Sequence, residues 1–367
     1  MSTWEIVDVP VPSSLDDDAA WGVRGTTALE RSLAEATWGH HDLAYTALDT
    51  LVALQDQRYT QRIHLAAVSP ERSRDVVGAA FVRLPTRGNT HTAEVDVLVH
   101  PEHVRTGLDD GLLRAAEDRV RGLGRTLVIL SSEHRGEPPG DEPGVLVAPT
   151  GSGRIRRTDA GAELAARAGY ALEQAERYSV LPLPVPTERL RALRDEALAV
   201  AAVGHEYRVR TWVDRVPDEW LDQLARLETR MSTDAPVAAL DVGADPWDAD
   251  RVRATDDQRT SSCRGALITV AEHVPTRTLA AFTVLEYPFA DEEVVYQEDT
   301  LVLREHRGRR LGQLVKAVNL ERLAEVRPHA VRVHTWNAEE NSFMLRINVA
   351  LGFAPAGVYG VWQKRLL

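Results

Sequence analysis

The sequence predicts a mixed α+β fold made of two tandem domains of the same plan. Strand-like runs with two-residue alternation and helix-like runs with apolar residues three and four apart follow one another in the same order twice. Between the two series, Pro182-Leu183-Pro184-Val185-Pro186 interrupts any regular element. The halves also align directly: Val99-His100-Pro101-Glu102-His103 matches Val302-Leu303-Arg304-Glu305-His306 at three positions, and Leu108 falls on Leu311. A repeat of about 180 residues means duplicated domains, so the expected division is 1–183 and 187–367.

Length agrees, since 367 residues suffice for two domains that each bury a core. No run approaches ~18 apolar residues, which argues against a membrane span. Met1-Ser2-Thr3-Trp4-Glu5 has no basic segment leading into an apolar one, so the expected compartment is the cytoplasm. A lone cysteine, Cys263, excludes an internal disulfide and a cysteine-based zinc site. A net charge of −12 argues against general nucleic-acid binding. All basic residues but Lys316 and Lys364 are arginine, which reads as base composition, so only arginines clustered at a turn carry weight.

In the first half a strand is expected at 4–11, helical periodicity within 28–57, and strands at 62–68, 75–84 and 92–100 joined by turns at 69–72 and 85–89. A helix at 109–123 turns Leu112, Leu113, Ala116 and Val120 inward, and a strand follows at 125–131. The Gly-, Pro- and charge-rich segment 133–157 reads as a long surface loop. A helix at 159–168 capped by Gly169 and a strand at 171–183 complete this half. In the second half, helices are expected at 187–202 and 218–230, with a strand at 207–213 between them. An irregular acidic stretch contains Asp234, Asp241, Asp245, Asp248, Asp250, Asp256 and Asp257. Strands at 266–273, 278–286 and 294–303 lead to the principal turn and its helix, then a strand at 331–335, a helix at 339–351 ending at Gly352, and a last strand at 357–365.

That turn is the most informative stretch. Arg307-Gly308-Arg309-Arg310-Leu311-Gly312 joins a strand to a helix whose Leu314, Val315, Val318 and Leu323 recur at helical spacing. Backbone N–H groups at a helix N-terminus converge on one point and the helix dipole adds positive potential, so the stretch suits a pyrophosphate. The matching stretch of the first half, Val104-Arg105-Thr106-Gly107-Leu108-Asp109, is followed by Asp110 and sets carboxylates where an anion would bind.

This order of elements, with Arg307 and Gly312 at the ends of a Gln/Arg-x-x-Gly-x-Gly/Ala pattern, resembles the GNAT superfamily of acyl-CoA-dependent N-acyltransferases, in a tandem arrangement like that of mycothiol synthase. Arg310 replaces the first glycine of the pattern. Thr335-Trp336-Asn337-Ala338-Glu339-Glu340-Asn341, followed by Met344, Ile347, Leu351, Gly352 and Phe353, resembles the family's fifth strand and fourth helix. Asn337 and Glu340 also have capping-box spacing. The resemblance implies two GNAT-like domains, each a mostly antiparallel sheet with splayed central strands and flanking helices. It implies acetyl-CoA as cosubstrate and no metal. Backbone at Leu301, Val302 and Leu303 would hold the pantetheine, residues Arg307, Gly308, Arg309, Arg310, Leu311 and Gly312 the pyrophosphate, with Asn337 and Asn341 beside the arm. The first half, lacking the signature, would be degenerate.

Acyl transfer to an amine needs a base for the ammonium proton and a donor for the leaving thiolate. Many relatives place the base at the position of Tyr296; Glu298, two residues on and on the same strand face, is the candidate here. Gln297 and Asp299 face the other way unless a bulge intervenes. The family's acid position holds Asn348, which can only donate a hydrogen bond, and Tyr359 is the candidate substitute, with Tyr296 behind it. The aspartates of 214–265, with Trp212 and Trp247, suggest a small-molecule amine acceptor. His306 and His334 lack metal-ligand spacing. The reaction expected is N-acetylation by the second half, in a monomer or homodimer. The alternatives are a non-catalytic acyl-CoA sensor and, against the acidic surface, an aminoacyl transferase.

Overall fold

The computed structural model describes residues 4–69, 72–200 and 203–366. The chain divides into two compact units: Met1–Glu176 with Ala238–Val242 and Gly357–Leu367, and Arg177–Val237 with Gly243–Ala356.

The first unit holds β1 (Glu5–Asp8), α1 (Trp21–Trp38), α2 (Ala47–Gln55), β2 (Thr60–Ser69), β3 (Arg72–Pro85), β4 (Thr92–Val99), α3 (Leu108–Gly122), β5 (Leu127–His134), β6 (Val145–Val147), β7 (Arg154–Arg156) and α4 (Ala160–Arg167). β8 (Ala171–Pro182) begins in it. Strands β1 to β4 pair antiparallel in order, and β4 lies parallel to β5. Alternation along β2 sorts side chains to two faces: Leu65 and Ala67 join the core under α3, Ala66 and Val68 the core under α1 and α2. The periodicity of 28–57 resolves into two helices, because Gly39 ends α1 in the left-handed region and Thr46 with Asp49 forms a capping box for α2. The loop expected at 133–157 contains the β6–β7 hairpin. Of the turn expected at 69–72, residues 70 and 71 lie outside the described residues, as do 201–202 of the helix expected at 187–202.

The second unit holds α5 (Thr187–Leu198), α6 (Val203–Glu206), β9 (Tyr207–Val213), α7 (Leu221–Asp234), α8 (Ala249–Ser261), β10 (Arg264–His273), β11 (Thr278–Pro288), β12 (Val294–Val302), α9 (Leu311–Val326), β13 (Arg332–Ala338) and α10 (Ser342–Leu351). β9 to β12 pair antiparallel in the order 9-10-11-12, and β12 runs parallel to β13. Leu267 packs toward α9 while Ile268 packs toward α7 and α8. The acidic stretch expected to be irregular contains α8, capped by Asp248. The last strand, β14 (Ala354–Arg365), passes into the first unit, where residues 358–365 pair antiparallel with 127–134 of β5. The mixed, mostly antiparallel fold expected from the sequence is what forms.

Candidate active site

In the second unit, β12 and β13 pair only over Val294–Tyr296 and Arg332–His334, although both strands run on beyond those residues. The sheet opens from that point. On its other side β12 stays paired with β11, but with an irregularity: Thr283 faces Thr300 and Leu285 faces Gln297, so Glu298 and Asp299 together oppose Val284. This bulge breaks the alternation. Gln297 and Thr300 are buried and Glu298 and Asp299 both reach solvent. Gln297 locks the bulge from below, its Nε2 donating to Val284 O at 2.7 Å and Thr283 Oγ1 at 3.0 Å.

The turn after β12 has the geometry expected of an anion cradle. A 3-10 turn at Arg304–His306 precedes Arg307; Gly308 (φ 81°) and Arg310 (φ 56°) are both left-handed, and α9 starts with no side-chain cap. Arg310 thus adopts a glycine's conformation in the glycine's place, a strain of about 1–2 kcal/mol. At Gly312 a Cβ would come 3.3 Å from Ile347 Cδ1, a close contact with the end of a flexible side chain. The arginines are tethered from outside the turn. Arg307 donates to Asp234 at 3.0 Å, Arg309 to Glu305 O at 3.0 Å, and Arg310 pairs with Glu196. The groups left for an anion are the backbone N–H groups at the start of α9. The residues fit a pyrophosphate.

Around Glu298 three carboxylates stand without an ion pair among the described residues: Glu298, Asp299 and Glu228 of α7. Desolvation is the first cause in each and raises all three. Glu286 and Asp299 push Glu298 further, to about 7, while Arg259 and Arg264 oppose. Glu298 and Asp299 touch solvent, so it is the packing of α7 against β12, rather than enclosure, that desolvates them. Neighbouring arginines are already matched: Arg259 and Arg264 both bind Glu286, and Arg251 binds Asp245 bidentately. The acidic stretch itself is largely neutralised. Asp234 holds Arg304 and Arg307, Asp256 holds Arg253 and Arg259, Asp257 holds Arg215, and Asp241 belongs to the first unit with Arg365. The carboxyl groups near Glu298 that keep no arginine partner among the described residues are Glu228, Glu298 and Asp299. Trp212 packs on Trp220 and Trp247 lies under Arg251, so neither is a free pocket wall.

Other expected residues fall differently. Tyr296 packs between His334 and the Arg264 guanidinium. Asn348 is buried and donates from Nδ2 to Asn337 Oδ1 at 2.6 Å, joining two residues expected in different roles. Asn341, rather than Asn337 with Glu340, caps α10 by accepting from Met344 N at 3.2 Å. Tyr359, expected as a substitute general acid, lies on the part of β14 that belongs to the first unit, where its ring stacks on Trp38 and its hydroxyl bonds Glu133.

The first unit repeats the open sheet, with β4 and β5 paired only over 92–95 and 127–130. Its turn carries carboxylates at the helix start, with one Asp109 oxygen left without a hydrogen-bond partner. Asp109 is buried at the start of α3, and Arg167 binds Asp109 at 3.0 Å and Asp110 at 3.2 Å. The sequence reading missed a Ser–His–Asp chain in this unit: Ser132 Oγ lies 2.7 Å from His134 Nε2, and His134 Nδ1 2.8 Å from Asp159. It is closed to substrates. Ser132 and His134 are buried, Trp362 Nε1 donates to the serine oxygen at 2.8 Å, and a Cβ on Gly360 would meet that oxygen at 2.7 Å. Ser132 and His134 are two residues apart and Asp159 follows 25 later, so the sequence signal was only a Ser-x-His on a strand, with nothing local to bring Asp159 to it.

Among the described residues no group of His, Cys, Asp and Glu is arranged to hold a metal ion, and no helix is long and apolar enough to cross a membrane. No family model and no curated protein sequence matches the chain. Solved structures do. A tandem GNAT protein from the clavulanic acid biosynthesis pathway is 27% identical, with a TM-score of 0.72 over 99% of this chain and 98% of that one. A GCN5-related N-acetyltransferase from Sphaerobacter thermophilus is 14% identical with a TM-score of 0.60, covering 98% and 95%. Saccharomyces cerevisiae N-myristoyltransferase with bound myristoyl-CoA and inhibitors is 12% identical with a TM-score of 0.54, covering 99% and 79%. The last two share the fold alone.

Proposed function

We propose that this chain, a protein of tandem GNAT fold, is an N-acetyltransferase whose second domain moves the acetyl group of acetyl-CoA to a primary amine of a small molecule. The fold is one that serves acyl-CoA-dependent acyl transfer. The finer reading rests on one observation: an uncapped anion cradle and an unpaired carboxylate group stand on the same strand, β12, one after its end and one at its bulge.

When bound, acetyl-CoA supplies an activated carbonyl and a thiolate leaving group. N–H groups of 308–312 would hold its pyrophosphate, the open edge of Leu301, Val302 and Leu303 its pantetheine, with Asn337 and Asn341 bordering the arm. Asp299 attracts the cationic amine, Glu228 beside it offers a carboxyl held protonated by burial as a hydrogen-bond partner, and Glu298 takes the amine's proton, freeing the lone pair that forms the new C–N bond as the C–S bond breaks. A strand N–H at the bulge donates to the developing oxyanion, and Tyr296 is the hydroxyl left on this strand to protonate sulfur. A carboxyl group near pH 7 is well matched to deprotonating an amine.

The test is acetyl transfer from acetyl-CoA to a panel of amines. As the base acts in its ionised form, kcat/KM should rise with pH and level off above about 7. Glu298→Gln should lower kcat about a hundredfold or more and remove that rise, with CoA binding intact. Wild-type turnover in Glu298→Gln would dismiss this base. CoA binding without transfer to any amine would leave a binding protein.

A further inference from the structure

His306, the residue before Arg307, is not used by the site as described. Its Nδ1 lies 2.7 Å from Tyr207 Oη, the two rings meeting edge-on at 88°. His273 at the end of β10 packs on both, 5.1 Å from Tyr207 and 5.0 Å from His306, and is itself tied by Nδ1 to Thr276. A tyrosine hydroxyl is protonated at neutral pH, and burial pushes that of Tyr207 further up. It therefore donates, and His306 accepts at Nδ1. A neutral imidazole that accepts at Nδ1 carries its proton on Nε2. That N–H has no partner among the described residues.

We propose that Tyr207 is a positioning residue for the cradle: it fixes the tautomer and ring orientation of His306 so that a neutral Nε2–H is offered to the phosphates of acyl-CoA. This rests on the reading of 307–312 as the CoA turn. The charged groups facing the imidazole are Glu305, Arg309 and Arg226, with His273 against its ring, Glu206 3.9 Å from His273, and Arg304 and Arg307 flanking. Burial first, then His273, holds His306 below the usual histidine range, so it is neutral at pH 7 and above. In acid the imidazolium carries both protons and the choice of tautomer disappears.

The experiment uses the full chain with CoA as probe. Nitrogen NMR of histidine-labelled protein without ligand should show His306 as the Nε2–H tautomer, and CoA should shift that nitrogen. By calorimetry Tyr207→Phe should weaken CoA binding about three- to tenfold at pH 8, the loss of one positioned hydrogen bond. That gap should close toward unity as the pH falls through the titration of His306. His306→Ala should weaken binding comparably, with Tyr207→Phe adding nothing on top of it. If wild-type protein binds no CoA, the reading of the turn itself fails. If it binds and Tyr207→Phe matches it at every pH, or the Nε2 signal stays still, this pairing alone is wrong, and a constant gap across pH would mark Tyr207 as merely structural.

Discussion

The two turns share one backbone and differ in what fills it. Arg105 and Gly107 in the first unit are left-handed at φ 60° and 90°; Gly308 and Arg310, at the matching positions of the second, are left-handed at φ 81° and 56°. Glycine relieves one of the two strained positions in each unit, and not the same one. The turn is thus maintained twice, with arginine bearing the strain once each time. One helical position further in, the copies part: Asp109 is buried at the start of α3 with Arg167 across it, whereas Gly312 leaves α9 bare. The first unit sets a buried carboxylate and its arginine partner at the helix start, where the second has no side chain at all, without any change of fold.

Moving that side chain is the largest test of the comparison. Gly312→Asp puts a carboxylate among the N–H groups of the second turn, with room for its Cβ at 3.3 Å from Ile347 Cδ1 once that flexible atom yields a little. Two like charges about 4 Å apart repel by about 4 kcal/mol at a surface-like dielectric. We expect CoA affinity to fall at least about a hundredfold by calorimetry while the circular-dichroism melt moves by only a few degrees. Wild-type affinity in this variant would mean that CoA is not held here.

The turn was legible in the sequence because its determinants are local: glycine, arginine, a strand before and a helix after. The repeat made the contrast with Asp109 readable as well. The bulge at Glu298–Asp299 was visible only as a contingency, since two residues opposing one is a property of the pairing with β11. Tyr359 was read with the second half because nothing local marks residues 358–365 as partners of β5. The aspartates of 234–257 looked like a cation site because Asp234, Asp241 and Asp257 meet arginines from distant elements, while Asp245 and Asp256 pair with arginines of α8, a helix the sequence did not announce. α8 escaped because only Val252, Ala254 and Asp256 of it are buried, too few to set a helical pattern.

A second transplant concerns what lies beneath the turn. Lys316 is 1% exposed, its amine 5.6 Å from the centre of the Phe353 ring, and burial pulls it down from 10.5 to about 7. The first unit has Leu113 at the matching place, 2% exposed. Below pH 7 both folded and unfolded chains carry the proton and the fold bears the full cost of the buried charge. Between about 7 and 10.5 the folded chain has released it and the unfolded chain has not, so stability rises with pH across that window. Lys316→Leu should raise the melting temperature by about 5 °C at pH 6, by less at pH 8, and remove the rise with pH. An equal gain at both pH values would show that packing, not the charge, is what the lysine alters.

The smallest change asks which atoms make the cradle. Arg310→Gly gives the second turn the glycine that Gly107 provides in the first, relieving the left-handed strain but adding freedom to the unfolded chain, so the net gain should be only about 0.5 kcal/mol. The lost contact with Glu196 is between exposed groups and contributes little. If the phosphates are held by backbone N–H groups, the affinity for CoA should stay within about twofold in a calorimetric titration, because the variant keeps every one of them. A tenfold loss would make the guanidinium itself the ligand, and the departure from glycine at this position would then be a gain of contact that the first unit never had.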